Sequence, residues 1–139
     1  MPRKSYVLTV RAAADLREAR VWSRARWGKD LTNRYFEDLH AGAEYIAENY
    51  ASFRDRQELA GGTALLLYPV REHYFVYEPL GPRFIAIVAV VRQGRDIPAI
   101  LQKWAAPIRR ELTEIREKIE RGEIRVPAQR PAPKSRKKK

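Results

Sequence analysis

Apolar residues recur along this chain at two different periods, and the places where the period changes divide it into elements. Tyr6 to Val10 (Tyr-Val-Leu-Thr-Val) is β-branched and aromatic and ends against Ala12-Ala13-Ala14, where intrinsic preference turns helical, so a first strand is expected over 6–10. Leu16, Ala19, Ser23 and Trp27 then fall at helical spacing; Asp15 is placed to favour a first-turn dipole and Gly28 to stop the helix, which is expected over 12–27. Asp30 offers a cap for a second helix, on which Leu31, Tyr35, Leu39, Gly42 and Ile46 share one face and Phe36, Ala43 and Ala47 widen it. With only Gly28-Lys29 between them, the two helices must return on each other as an antiparallel hairpin. Residues 51–62 are polar and close on Gly61-Gly62, a loop entering a sheet.

Three strand-like runs follow, Thr63 to Val70, His73 to Glu78 and Arg83 to Val91, separated by Arg71-Glu72 and Pro79-Leu80-Gly81-Pro82, and a β-meander is the simplest arrangement. The last run, Phe-Ile-Ala-Ile-Val-Ala-Val-Val, is apolar on both faces, which predicts a central strand with helices on one side and a second covering layer on the other. Asp96 caps a third helix with Pro98 in its first turn, running through Ile100, Leu101 and Trp104 until Pro107 kinks or breaks it. Beyond Pro107, Ile108, Leu112, Ile115 and Ile119 make a narrow stripe that ends at Gly122 and needs something to bury it. The organisation read here is an α+β domain, β-α-α-β-β-β-α, with a helical hairpin on an antiparallel sheet over 1–106. An amphipathic helix over 107–123 and a disordered basic tail over 124–139 follow it.

At 139 residues the chain is long enough for one core and short for two, so a single site or interface is expected. It has no cysteine and two histidines, His40 and His73, which leaves no thiolate metal site, so neither a metal nor a cofactor is expected. No apolar run approaches membrane-spanning length and no secretory core follows the N-terminus, which predicts a cytoplasmic protein. The net charge is +11, of which +7 lies in 124–139 and +4 in the first 123 residues. The tail's prolines and few apolar side chains predict disorder. Its Arg136, Lys137, Lys138 and Lys139 are candidate phosphate contacts, independent of base sequence.

Four short words occur in one order: Ala13-Ala14-Asp15-Leu16-Arg17-Glu18; Trp27-Gly28-Lys29; Tyr68-Pro69-Val70-Arg71-Glu72-His73-Tyr74-Phe75-Val76-Tyr77; and Val90-Val91-Arg92-Gln93-Gly94-Arg95-Asp96-Ile97-Pro98. Together they resemble the ParE branch of the RelE/ParE toxin superfamily over residues 6–104. Family members commonly carry a histidine where this chain has Gln93, and the segment after Trp104 is longer than the usual toxin. The resemblance implies a type II toxin that inhibits DNA gyrase and is neutralised, in a hetero-oligomer, by a small antitoxin covering its groove and sheet. The superfamily's other branch implies a ribosome-dependent mRNA endonuclease, and a non-toxic nucleic-acid- or partner-binding module on the same fold is a third reading.

Metal-free RNA cleavage needs a positioned base, an acid and arginines to hold phosphorane charge. Arg71, His73, Tyr77, Arg92 and Arg95 could supply these if the strand ends cluster. No His or Tyr follows Tyr77, so the late catalytic position of the nuclease branch is empty, and gyrase inhibition without catalysis is the leading expectation. For that reading the candidate partner-binding residues are Trp22, Trp27, Arg71, Arg92, Arg95, Ile108, Leu112, Ile115 and Ile119. Each has a plainer structural role: His73, Phe75 and Tyr77 alternate on one strand face and can pack under a helix, and the Ile108 to Ile119 stripe can lie on its own sheet.

Overall fold

The computed structural model describes residues 5–53 and 65–126. The chain runs β1 (Tyr6–Leu8), α1 (Val10–Trp27), α2 (Lys29–Asn49), a 3-10 turn (Tyr50–Ser52), β2 (Leu66–Val70), β3 (His73–Gly81), β4 (Phe84–Arg92) and α3 (Ile97–Glu120). The strands lie in the order β1-β4-β3-β2, so β4 is central as its two-sided apolarity requires, and β2, β3 and β4 form the expected antiparallel meander. β1 is different: it pairs parallel with β4, Tyr6 opposite Ile85 and Leu8 opposite Ile87, so the sheet is mixed rather than wholly antiparallel. Alternation of apolar residues reports which face a side chain takes and is blind to strand direction; the helical hairpin with β2 and β3 makes up the long connection between this parallel pair.

Each face of the sheet has its own apolar layer. Tyr35, Leu39, Ala43, Ile46 and Ala47 of α2 pack with Ala12 of α1 onto Phe75, Tyr77, Ile85 and Ile87. On the opposite face, Ile97, Leu101, Ile108 and Leu112 of α3 cover Leu67, Val76, Ala86, Val88 and Val91. A register shift at Val76/Tyr77 interrupts strict alternation in β4, where Val88 and its neighbour Ala89 both belong to the α3 side. Sheet-facing α2 positions match the sequence pattern except Leu31, which is 53 % exposed near the hairpin tip.

Helix starts differ from the sequence reading. Thr9 caps α1, accepting from Ala12 N–H at 3.1 Å while its hydroxyl donates to the Val88 carbonyl at 3.0 Å, so the helix begins at Val10 and Asp15 lies beyond its first turn. Gly28, at φ 86°, stands before α2 without a side-chain cap, and Asp30 sits inside the first turn rather than capping it. Asp96 does cap α3, accepting from Ala99 N–H at 3.3 Å.

Pro107 neither ends nor divides α3, which runs unbroken past the boundary drawn at residue 106. Pro107 and Lys103, whose carbonyl would have received the missing N–H, are both exposed, so water can serve that carbonyl while Leu101, Ile108 and Leu112 hold the inner face on the sheet. The helix is also tied down by polar contacts. Glu78 of β3 meets Arg109 at 3.4 Å and Arg116 at 2.6 Å, Glu111 accepts from Val10 N–H at 2.8 Å, and Arg11 lies over Trp104 at 4.5 Å. Residues 54–64, which hold most of the loop expected over 51–62 and the expected strand start at Thr63, and residues 127–139 lie outside the described residues.

Gly42 marks where α2 comes closest to the sheet: a Cβ there would stand 2.5 Å from one Val70 methyl carbon and 2.9 Å from the other. Alanine gains up to about 1 kcal/mol over glycine in a helix interior, yet overpacking costs about 1–3 kcal/mol. Gly42→Ala is therefore expected to lower the urea midpoint and Gly42→Ala/Val70→Ala to recover part of the loss; a Gly42→Ala protein more stable than wild type would contradict this close approach.

Candidate functional site

The strand ends expected to cluster do so at one end of the sheet. β3 begins at His73 directly opposite Arg92, where β4 ends, and Gly94, at φ 96°, turns the chain from β4 towards α3. α1 crosses this end, and its Asp15 accepts from Val90 N–H at 2.9 Å and pairs with Arg11 at 3.2 Å. The cleft between them, about 290 Å³ and open to solvent, is lined by Arg11, Asp15, Glu18, Ala19, Trp22, His73, Val90, Val91, Arg92, Arg95 and Ile100. Burial raises the Asp15 carboxyl above its ordinary range, outweighing the Val90 hydrogen bond and Arg11, which lower it.

His73 is the buried polar group at the floor of this cleft. Its Nδ1 lies 2.7 Å from the Tyr35 hydroxyl, which accepts from Glu72 N–H at 3.1 Å. With one lone pair engaged by Glu72, the phenol satisfies its own proton by donating to Nδ1, which places the imidazole proton on Nε2. Burial lowers the His73 pKa, the nearby Arg92 lowers it further, and Glu72 opposes both. Gln93, standing where the resembled family commonly has a histidine, braces this corner by donating to the carbonyls of Arg71 at 3.0 Å and His73 at 3.2 Å.

An aromatic run joins the cleft to the hairpin tip: Trp22 to Trp27 at 5.6 Å, Trp27 to Tyr35 at 5.3 Å and Tyr35 to His73 at 5.8 Å between ring centroids. The guanidinium groups of Arg92 and Arg26 lie over Trp22 at 4.4 and 4.7 Å. Behind the run is a second hollow, about 200 Å³, lined by Trp27, Leu31, Arg34, Tyr35, Arg71 and Glu72. Arg71 belongs there, at φ 55° in the β2–β3 turn, paired with Asp38 at 3.1 Å and lying over Tyr35 at 5.1 Å.

Of the five residues that RNA cleavage would use, the structure gathers His73, Arg92 and Arg95 at the cleft. Arg71 faces the other hollow, and Tyr77 is buried in the hairpin-side core with its ring 6.5 Å from Tyr50. Trp22 and Trp27 are half-buried and reach the surface. Ile108 and Leu112 are buried on the chain's own sheet, Ile115 is buried too and Ile119 is half-buried near the end of α3, so the first three offer no free stripe to a partner. Arg136, Lys137, Lys138 and Lys139 fall outside the described residues. Sequence reasoning missed Arg11, Tyr35 and the tertiary role of Asp15; the Arg11/Asp15 spacing of four was the readable signal.

A basic α+β chain with a helical hairpin on a meander and an arginine-rimmed cleft at the strand ends defines the class, and comparison with known proteins names the family. The family model of the ParE toxin of type II toxin-antitoxin systems (parDE) matches residues 6–97. Toxin ParE of Escherichia coli is 30% identical over 93 residues, which are 67% of this chain and 88% of that protein. A solved chain described as the chromosomal ParDE TA system from P. aeruginosa superposes with a TM-score of 0.53 at 18% identity, covering 63% of this chain and 94% of that one, and shares the fold. The chain belongs to the ParE toxin family of type II toxin-antitoxin systems. Among the described residues no helix is long and apolar enough to cross a membrane.

Proposed function

We propose that this ParE-type toxin inhibits DNA gyrase and is held inactive by a small cognate antitoxin. The observation that carries the reading is the family match over residues 6–97, which spans β1, the helical hairpin, the meander and the cleft. The surface that fits a partner is the hairpin tip with the strand ends, where Trp22, Trp27, Arg71, Arg92 and Arg95 combine aromatic area with cations, the residue types that dominate interface energetics. Arg136, Lys137, Lys138 and Lys139 would add salt-dependent contacts to the DNA that gyrase holds.

The test is a supercoiling assay. Purified full-length chain is expected to block gyrase-driven supercoiling of relaxed plasmid, and expression in cells is expected to arrest growth until the antitoxin is co-expressed. Uninhibited supercoiling together with cleavage of ribosome-bound mRNA would replace this reading with the nuclease one.

A further inference from the structure

We propose that the cleft beside His73 binds a phosphorylated nucleotide unit, with Arg92 and Arg95 holding the phosphate and Glu18 facing the base. The cleft's volume of about 290 Å³ is close to the small end of ligand pockets, roughly 300 Å³, and a lone carboxylate side chain would leave most of it empty. Arg11 is already paired with Asp15 and Arg71 with Asp38, whereas no carboxylate among the described residues lies within salt-bridge distance of Arg92 or Arg95. Two guanidinium groups without a carboxylate partner line the one cleft, Arg92 with its face over Trp22 and its N–H edges left for an anion, and with five N–H donors each they match a phosphate's charge and its several acceptor oxygens.

His73 adds a directed donor. Its side chain is buried, Nδ1 is engaged by Tyr35, and the Nε2–H left by that tautomer has no acceptor among the described residues while the ring lines the cleft. α1 brings two carboxylates to the same cleft: Asp15 is occupied by Val90 N–H and Arg11, and Glu18 has no ion-pair partner among the described residues. A suitable ligand therefore presents oxyanions for the arginines and N–H donors for Glu18, with an apolar body for Val90 and Ile100. An inorganic anion meets only the first requirement; a nucleotide meets all three. The inference concerns binding without bond cleavage and stands independently of gyrase inhibition.

Calorimetric titration of the full-length chain with adenosine 5′-monophosphate, adenosine and inorganic phosphate tests it. The monophosphate is expected to bind about tenfold or more tightly than either fragment. Arg92→Gln/Arg95→Gln, at exposed positions, is expected to weaken it about tenfold or more, and Glu18→Gln a few fold. The His73 Nε2–H proton resonance should shift with the monophosphate and stay in place with adenosine. Three results would overturn the proposal: no saturation by about 10 mM ligand, an affinity unchanged in Arg92→Gln/Arg95→Gln, or binding abolished by replacing Arg136, Lys137, Lys138 and Lys139 with glutamine, which would assign it to the tail. A glutamate-rich peptide that displaces the monophosphate and binds more tightly would make the cleft a protein-docking surface and overturn it as well.

Discussion

A chain ending after Ala106 is expected to lose its cooperative unfolding transition, whereas one ending after Val126 keeps the midpoint of the full protein. Truncation at 106 removes Ile108, Leu112 and Ile115, only 2 %, 3 % and 7 % exposed, and uncovers the face of Leu67, Val76 and Val88. Full burial of one such side chain contributes about 1.5–3 kcal/mol. Losing three of them, with the Glu78 contacts to Arg109 and Arg116, takes away an amount on the order of a domain's whole stability, about 5–15 kcal/mol. Leu112→Ala is the graded version: a loss of about 2–5 kcal/mol, seen as a thermal midpoint lower by on the order of 10 °C. A truncated chain that melts like the full one would show that α3 beyond Pro107 is not part of the core, despite its geometry. The family match stops at residue 97, so most of this covering layer lies beyond the matched span.

Much of the fold is legible because it rests on periodicity. The α2 stripe of Tyr35, Leu39, Ala43 and Ile46 and the unbroken apolarity of β4 state what they must touch, and the structure places them there. What escaped depends on long-range partners. Thr9 reads as a strand residue until its hydroxyl is seen bonding to Val88, 79 positions away, while capping α1. The direction of β1 leaves no trace in alternation. Pro107 carries a local helix-breaking signal that inner-face packing overrides, because its lost hydrogen bond falls on the solvent side.

The site divides in the same way. Arg92, Arg95 and His73 are legible as chemistry-bearing residues at strand ends, and register alone brings His73 opposite Arg92. Tyr77 joins them only through the expectation that the strand ends cluster, but four residues of extended chain carry it about 13 Å from His73 along β3 and into the core, where its parity with Phe75 points. Tyr35 reads as one more apolar α2 position, and only the tertiary contact shows its hydroxyl fixing the imidazole. The Ile108 to Ile119 stripe demands burial that any apolar surface could supply; the chain's own sheet supplies it for Ile108 and Leu112, and Ile115 is buried as well.

Replacing His73 is expected to test the buried pair directly. His73→Ala leaves a void and strips the Tyr35 hydroxyl of its acceptor, at a cost of about 2–4 kcal/mol. His73→Gln, able to offer an oxygen to Tyr35, should cost less and also separate packing from titration. Burial, and then Arg92, hold the folded-state pKa below the ordinary value of 6.5, with Glu72 acting in the other direction and Arg71 lying over Tyr35. The unfolded chain therefore binds the proton more readily, so the stability that His73 contributes is fully present above pH 6.5 and is lost as pH falls below it towards the folded value. Denaturation midpoints of the wild-type chain should drop between about pH 7 and pH 5, around the ordinary histidine range, and His73→Gln should flatten that drop. The other histidine, His40, sits half-exposed between Tyr6 and Glu44 on α2, which makes His40→Gln the control. An acid limb that survives in His73→Gln and disappears in His40→Gln would move the titrating group away from the cleft floor.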